Sequence, residues 1–585
     1  MNERRFRVLT AADLAALASG GSAELSVLAT LRTAQLTKHK FMLQGIVRIG
    51  SSAAPDAAPG LQRNYGLLAV MERREPAKVA EVIGAPQVGA WAARCLRGLS
   101  ANGRAAGPEL GYIAAITAAA AVRTGYPCTL TLQARNGTVM LPTLGRALLP
   151  DSGEARITVS GVMQATIDTG ARAIVVGSDC EEDGPGWEGL RWLRLGDRSV
   201  SLDDLDSYRD YGRCRPAKRL GDVHVSHWRR TLGEAWDLLC AHHPGYAATL
   251  YAGVTSLVPL TLNADQKNVS ATSGDAFGAV AASRPSGGAA LALAMIHEFQ
   301  HSKLCAATDL EPLCHMDDSQ LFYAPWRPDP RPASALLHGI YAHMGVADFW
   351  RAHRRVAHGR AQLVAEVEFV RWLRQTIDAA ARLEGHSGLT EAGQYLLSHI
   401  VERLMGWLGE PVPVQAWELA EMTAADHLVC WRLRNLVPDA GAVAGIAQAW
   451  RAGGSCPGHV QVSISPSGGD AGQTIRSELL YQKLCDPAQF EASAADRPRD
   501  PDTAYVRGDY LAASSGYLEQ IRADPAAQNA WGGLALTSEP NGALRRFPEV
   551  VSAVYRELAV LPAALVDPVS LAGWLAPLSA SPRQV

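Results

Sequence analysis

Hydrophobic positions change their period three times along the chain. Up to about residue 124 apolar residues recur at helical spacing, in ADLAALASG, in Glu24 to Val47 and in Gly111 to Arg123. Thr10 is placed to cap the first run, with Asp13 three residues on as the acidic partner of a capping box. Gly125-Tyr-Pro ends the third, and His39 and Lys40 in the second are expected on a solvated face. From Cys128 to about Arg198 the pattern alternates. TLTLQAR, Asn136-Gly137 and TVMLPTL predict a hairpin, because Asn-Gly accepts the positive φ angles of a tight turn. RITVSGV, ARAIVVGS and the pair within LRWLRLGDRSVSLDD extend this into a β-rich subdomain, with His224, His227 and Trp228 as polar surface near its end. Helical spacing returns from Leu232 to Leu257. Two strands joined by a polar turn follow, the second running from Val269 to Ala282 into a Pro-Ser-Gly-Gly break. Ala361 to Leu408 predicts one or two long helices, and HVQVSIS a short strand.

The pattern defines an α+β protein, mainly helical, with expected divisions at 1–124 (helical), 125–228 (β-rich), 229–450 and 451–585 (helical). Within the last, GDYLAASSGYLEQIRADPAAQNAWGG resembles one tetratricopeptide-like helix pair through Pro525 and Trp531; a single pair makes no solenoid and is expected to pack. Composition narrows the function. With 585 residues, 48% hydrophobic, 19% charged and a net charge of −3, the chain has no electrostatic footprint for nucleic acid or an anionic membrane. No apolar run approaches a spanning length, and MNERRFRVLT lacks the apolar core of a signal peptide. The ten cysteines are scattered, without a C-x-x-C pair, as expected of reduced thiols in a cytoplasmic protein.

The chemistry lies in the third segment. LALAMIHEFQHSKLCAA is an apolar helix interrupted by HEFQH, an HExxH pattern. A spacing of four puts His297 and His301 on one face, one turn apart, so both imidazoles can hold one metal ion; Glu298 stands about 100° around the helix. With a strand just upstream, the expected arrangement is a zincin-like metal helix beside a small sheet, whose edge could take a peptide.

Two histidines do not complete a site. The metzincin extension would need glycine at 304 and histidine at 307, where Leu304 and Ala307 stand. The thermolysin-like pattern needs a glutamate roughly twenty residues on; Glu311 is too early and Glu366 and Glu368 are late, while Asp309 more simply ends the helix. Downstream, the helix ASALLHGIYAHMGVADFWRAHRR follows Pro332, a residue suited to a first turn. His338 and His343 lie about 140° apart on it, and His343 shares the core-facing side with Leu336, Gly339, Ile340 and Val346, which favours it as third ligand over His338. Arg327 and Arg331, in the Pro-stiffened loop PWRPDPRP, are suited to a carboxylate such as that of an oxo-acid, or else pair with Asp329.

HEFQHSKL, YAPWRPDPRP and LLHGIYAHMGVADFWR together resemble the HExxH-type peptide-modification proteins found beside ribosomally synthesised peptide precursors, regarded as 2-oxoglutarate-dependent peptide β-hydroxylases. The resemblance implies Fe(II), 2-oxoglutarate and O₂ as cofactor and cosubstrates, and hydroxylation of a β-carbon in a precursor peptide. It makes His297, His301 and His343 the metal ligands and gives Glu298 an orienting role. The alternatives are a zinc metallopeptidase with Glu298 as general base, and a helical scaffold that binds a leader peptide around an inactive metal site.

Overall fold

A computed structural model describes residues 9–102, 107–149, 153–170, 172–209, 215–261, 269–316, 319–465, 474–559 and 566–582. The chain divides into two compact units, Met1–Pro312 and Leu313–Val585. The boundary at 312 replaces the expected divisions at 124, 228 and 450, and it cuts the segment 229–450 just behind the HEFQH helix. The reason is packing in the first unit: one core runs without a break from Leu43 and Ile46 through Ile116 and Ile157 to Tyr208, so the N-terminal helices and the β-rich segment are not separate bodies.

The first unit opens with helix Ala11–Ser19, closed by the expected capping box: Asp13 N donates to Thr10 Oγ1 at 3.2 Å and Thr10 N to Asp13 Oδ2 at 2.9 Å. Leu25–Ala53 follows, longer than its apolar pattern predicted, then Ala58–Arg74, Pro76–Ile83, Pro86–Asn102 and Gly107–Thr124. His39 is buried, 2% exposed, with Nδ1 2.8 Å from Ile83 O, which corrects the solvated-face expectation; Lys40 does face outward, beside Glu72.

The Asn136-Gly137 turn forms as expected, with φ of 50° and 69° and reciprocal bonds between Arg135 and Thr138. The hairpin goes no further than that one residue pair. Cys128–Gln133 turns to Glu154–Gly161, in a four-stranded sheet completed by Gln164–Asp168 and Ala173–Val176. Thr138–Leu141 instead pairs Gly145–Leu148 in a separate three-stranded sheet with Trp187–Gly189. Burial separates them: the first strand alternates buried and exposed residues, whereas Val139, Met140 and Leu141 are all buried.

The last predicted hairpin, Arg191–Leu195 with Arg198–Leu202, leaves the β-rich segment altogether. It joins a sheet in the order Ser270–Ala271, Ala279–Ser283, Ser256–Thr261, Arg198–Leu202, Arg191–Leu195, with Arg215–Pro216 paired to Ser256–Thr261. Two of its three inner strands, Ser256–Thr261 and Ala279–Ser283, pair parallel and are buried almost throughout, as expected where both faces are covered. The strand expected from Val269 to Ala282 is two short strands separated by a turn, and its preceding polar turn lies mostly outside the described residues.

In the second unit, helices Ala333–His353, Gly359–Ala381, Glu391–Met405 and Val414–Asn435 are followed by the strand His459–Ile464, which joins Leu436–Pro438 and Ser579–Pro582. Pro332 stands one residue before the first turn, as the N-cap. The tetratricopeptide-like pair is Tyr510–Ala523 and Gln528–Leu536, and it packs: Tyr517 and Trp531 are fully buried. Its base is a connected polar network. Arg476, 0% exposed, binds Asp426 and Asp502 at 2.8 Å each, and Tyr517 Oη donates to Asp502 at 2.7 Å. Among the described residues no helix is long and apolar enough to cross a membrane.

Candidate metal centre

The HEFQH motif lies on helix Gly288–Thr308, as its apolar pattern predicted. Its start depends on the Gly-Gly pair. Gly287 is extended, and Gly288 packs so closely on helix Asp222–His242 that a Cβ there would lie 2.5 Å from Glu234 Cβ. Glu234 accepts the Gly288 N–H at 3.2 Å and so satisfies one of the orphan donors of the helix start. His227 lies on the same neighbouring helix rather than in a loop; its Nε2 stands 2.9 Å from Pro285 O and braces the entry segment, while Trp228 is core.

His297 and His301 face each other with ring centroids 4.8 Å apart and planes 85° to one another. Both are half-buried. Burial in apolar surroundings holds the His297 imidazole down at about 4, so at neutral pH it carries the lone pair a metal needs. The chemistry of this donor pair fits a first-row transition metal.

Glu298 does not join them in the open. It is 3% exposed, and both carboxylate oxygens are taken by hydroxyls of the sheet-edge segment: Ser270 Oγ on Oε1 and Thr272 Oγ1 on Oε2, 2.5 Å each. Thr272 Oγ1 also lies 2.8 Å from the Glu298 carbonyl. Ser270 lies in the short strand Ser270–Ala271 and Thr272 just past its end, so the two hydroxyls reach Glu298 from one edge segment. Hydrophobic patterning does not announce this clamp; the S-x-T spacing beside an acidic helix residue is the signal that could have pointed to it.

Apart from Asp309, the other expected residues belong to the second unit. His343 is 7% exposed and sandwiched between indoles, stacked on Trp326 at 4.2 Å and tilted against Trp372 at 4.7 Å. Its Nδ1 donates to Gly339 O at 2.8 Å, which leaves the lone pair on Nε2, the tautomer of a histidine that ligates through Nε2. His338 is half-buried, and desolvation holds it down at about 4. Arg327 and Arg331 both bind Asp329, at 2.9 and 3.1 Å, which is the second of their two expected partners. Glu366 pairs with Arg354 at 2.7 Å, and Glu368 accepts from Trp372 Nε1 at 2.6 Å and from Tyr481. Asp309 ends the motif helix and binds Lys38 and Gln35, each at 2.8 Å.

The YAPWRPDPRP loop is fixed at three points. Tyr323 donates to His427 Nδ1 at 2.8 Å, its hydroxyl kept protonated by burial; Trp326 fills the notch at Gly339; Asn435 Nδ2 donates to Pro328 O at 2.8 Å. A Cβ at position 339 would stand 2.3–2.6 Å from the Trp326 ring. Gly339→Ala is therefore expected to expel Trp326 from the His343 stack and cost about 1–3 kcal/mol, read by urea unfolding and a red-shifted tryptophan emission.

Among the described residues, no three His, Cys, Asp or Glu side chains gather to hold one ion; His297 and His301 are the pair the fold assembles. No protein-family model matches the chain, and no curated protein matches it.

Proposed function

We propose that the chain is an Fe(II)- and 2-oxoglutarate-dependent hydroxylase acting on the β-carbon of a residue in a ribosomally synthesised peptide. The observation that carries this reading over a peptidase is the clamp on Glu298. A general base for hydrolysis must reach a metal-bound water, whereas each oxygen of this buried carboxylate already accepts a hydroxyl, from Ser270 and Thr272, and Oε1 comes only to 4.0 Å from His297 Nε2. It is suited to holding the helix and its histidines in register with the sheet edge.

In this reading His297 and His301, whose rings face each other on one helix, hold the iron. Iron supplies the oxidising chemistry when bound: O₂ and 2-oxoglutarate are consumed, one oxygen atom enters the peptide, and succinate and CO₂ leave. Arg327 and Arg331 share Asp329, so their loop retains one net positive charge, which suits it to a carboxylate.

The test is aerobic incubation of iron-loaded protein with 2-oxoglutarate and a candidate precursor peptide. A gain of one oxygen atom in the peptide with equimolar succinate is expected. Peptide cleavage without O₂ or 2-oxoglutarate would establish the zinc peptidase instead.

A further inference from the structure

Within the first unit lies a cavity of about 900 Å³, walled by the long helix Leu25–Ala53, the Pro76–Ile83 region, strand Arg198–Leu202 and the end of helix Pro244–Gly253. Its volume is near the top of the roughly 300–1,000 Å³ range of small-molecule pockets. It flanks the motif helix: Phe277 on its wall has its ring 6.1 Å from that of Phe299, the residue after Glu298, and Gln35 on its wall binds Asp309 at that helix's end.

The charges lining it are unevenly satisfied. Asp203 accepts the backbone N–H groups of Leu205 and Asp206, while Asp206 accepts Tyr112 Oη at 2.6 Å and the Tyr208 N–H. Glu81 stands 3.4 Å from Arg123, and Glu181, the remaining lining acid, is exposed to solvent. Arg32 and Arg198, by contrast, have no carboxylate within ion-pair reach among the described residues. Arg32 Nη1 donates to Ala252 O at 2.7 Å and Arg198 Nη2 to Val254 O, so both guanidiniums converge on one helix end. The Arg198 Nε–H is buried without an acceptor, and the nearest acid in sequence, Asp197, is held by Tyr251 Oη at 2.6 Å. Burial and the neighbouring Arg32 charge both weaken the Arg198 cation, a strain that an anion between them would relieve. Leu36, Met140, Trp192 and Phe277 stand on the wall among polar groups such as Gln35, Gln87, Thr143 and Ser199, a mixed lining that suits the side chains and amides of a peptide more than a free acid.

We propose that this cavity docks an extended peptide segment through an Asp or Glu side chain, whose carboxylate is received by Arg32 and Arg198. That the carboxylate belongs to a peptide rests on the proposed function; the anchor itself rests on the cavity.

The experiment needs no iron, 2-oxoglutarate or O₂, so its failure is distinct from failure of the hydroxylase reading. Full-length protein on a support is exposed to a randomised hexapeptide mixture, and the retained peptides are sequenced by mass spectrometry. Enrichment of Asp and Glu over Asn and Gln at one position, by about tenfold or more, is expected. It should vanish in the Arg32→Gln/Arg198→Gln variant and persist in Arg32→Lys/Arg198→Lys. Should the glutamine variant fail to fold by circular dichroism, the wild-type chain is offered the same mixture with its carboxyls methyl-esterified, and the enrichment should vanish there. Absence of acid enrichment, or its survival in the glutamine variant or with the esters, overturns the proposal. Displacement of the retained peptides by an equal concentration of free glutarate also overturns it, since the pair would then be a small-acid site.

Discussion

Lys303→Ala is expected to destabilise the first unit by about 3–5 kcal/mol, the largest effect of any single substitution on the motif helix. Lys303 is 1% exposed and its ammonium meets the carboxylate of Glu24, 0% exposed, which ends the short turn before the long N-terminal helix. Removing the lysine leaves a buried carboxylate without its cation, and that desolvation dominates the cost. The paired replacement Lys303→Met/Glu24→Leu removes both charges and should recover most of the loss, because the ion pair's own desolvation nearly offsets its attraction. Urea unfolding of wild type, single and double variants checks this. A cost below about 1 kcal/mol for Lys303→Ala would mean that water or another donor satisfies Glu24. Lys303 follows His301 by two residues, so the pair also sets how firmly the histidine-bearing turn is anchored.

The second large effect concerns the centre itself. On the proposed reading, His301→Ala should abolish stoichiometric iron binding, because one imidazole of the pair is lost. Removing the clamp should act more mildly: Glu298→Gln, and separately Ser270→Ala/Thr272→Val, should each weaken metal affinity by about 10- to 100-fold, the range for groups that orient ligands. The agreement of those two variants is the discriminating result. If Glu298 positions the helix, cutting the clamp from either side gives the same loss. If Glu298 is instead a general base, Glu298→Gln abolishes turnover while the hydroxyl variant frees the carboxylate and retains it. Metal titration followed by colour or fluorescence, alongside product mass, separates the two.

The histidine pair was legible in the chain. The four-residue spacing of His297 and His301 requires a shared helical face, and three ionisable groups within an apolar helix are costly unless they are paired or bind a metal. The core-facing side of the downstream helix identified His343 as buried, and its 7% exposure agrees. The partners of Glu298 were not legible in the same way. A helical acid binding two hydroxyls of a strand depends on a contact between segments 26 to 28 residues apart, which no local period encodes. His39 failed for a related reason: helical periodicity assigns a face, but the carbonyl of Ile83, which receives its imidazole, comes from another helix.

The sequence by itself determined several of the helices, the Thr10 capping box, the Asn-Gly turn and the shared face of the two histidines, all of which follow from interactions within a few residues. Tertiary structure alone decided which strands pair, that the N-terminal helices and the β-rich segment share one core, and that Arg32 and Arg198 converge on one helix end beside a cavity. Those outcomes depend on burial and on charges distant in sequence. Their energies are set by what solvent is excluded when the chain closes on itself, and that is a property of the packed unit, not of any local stretch.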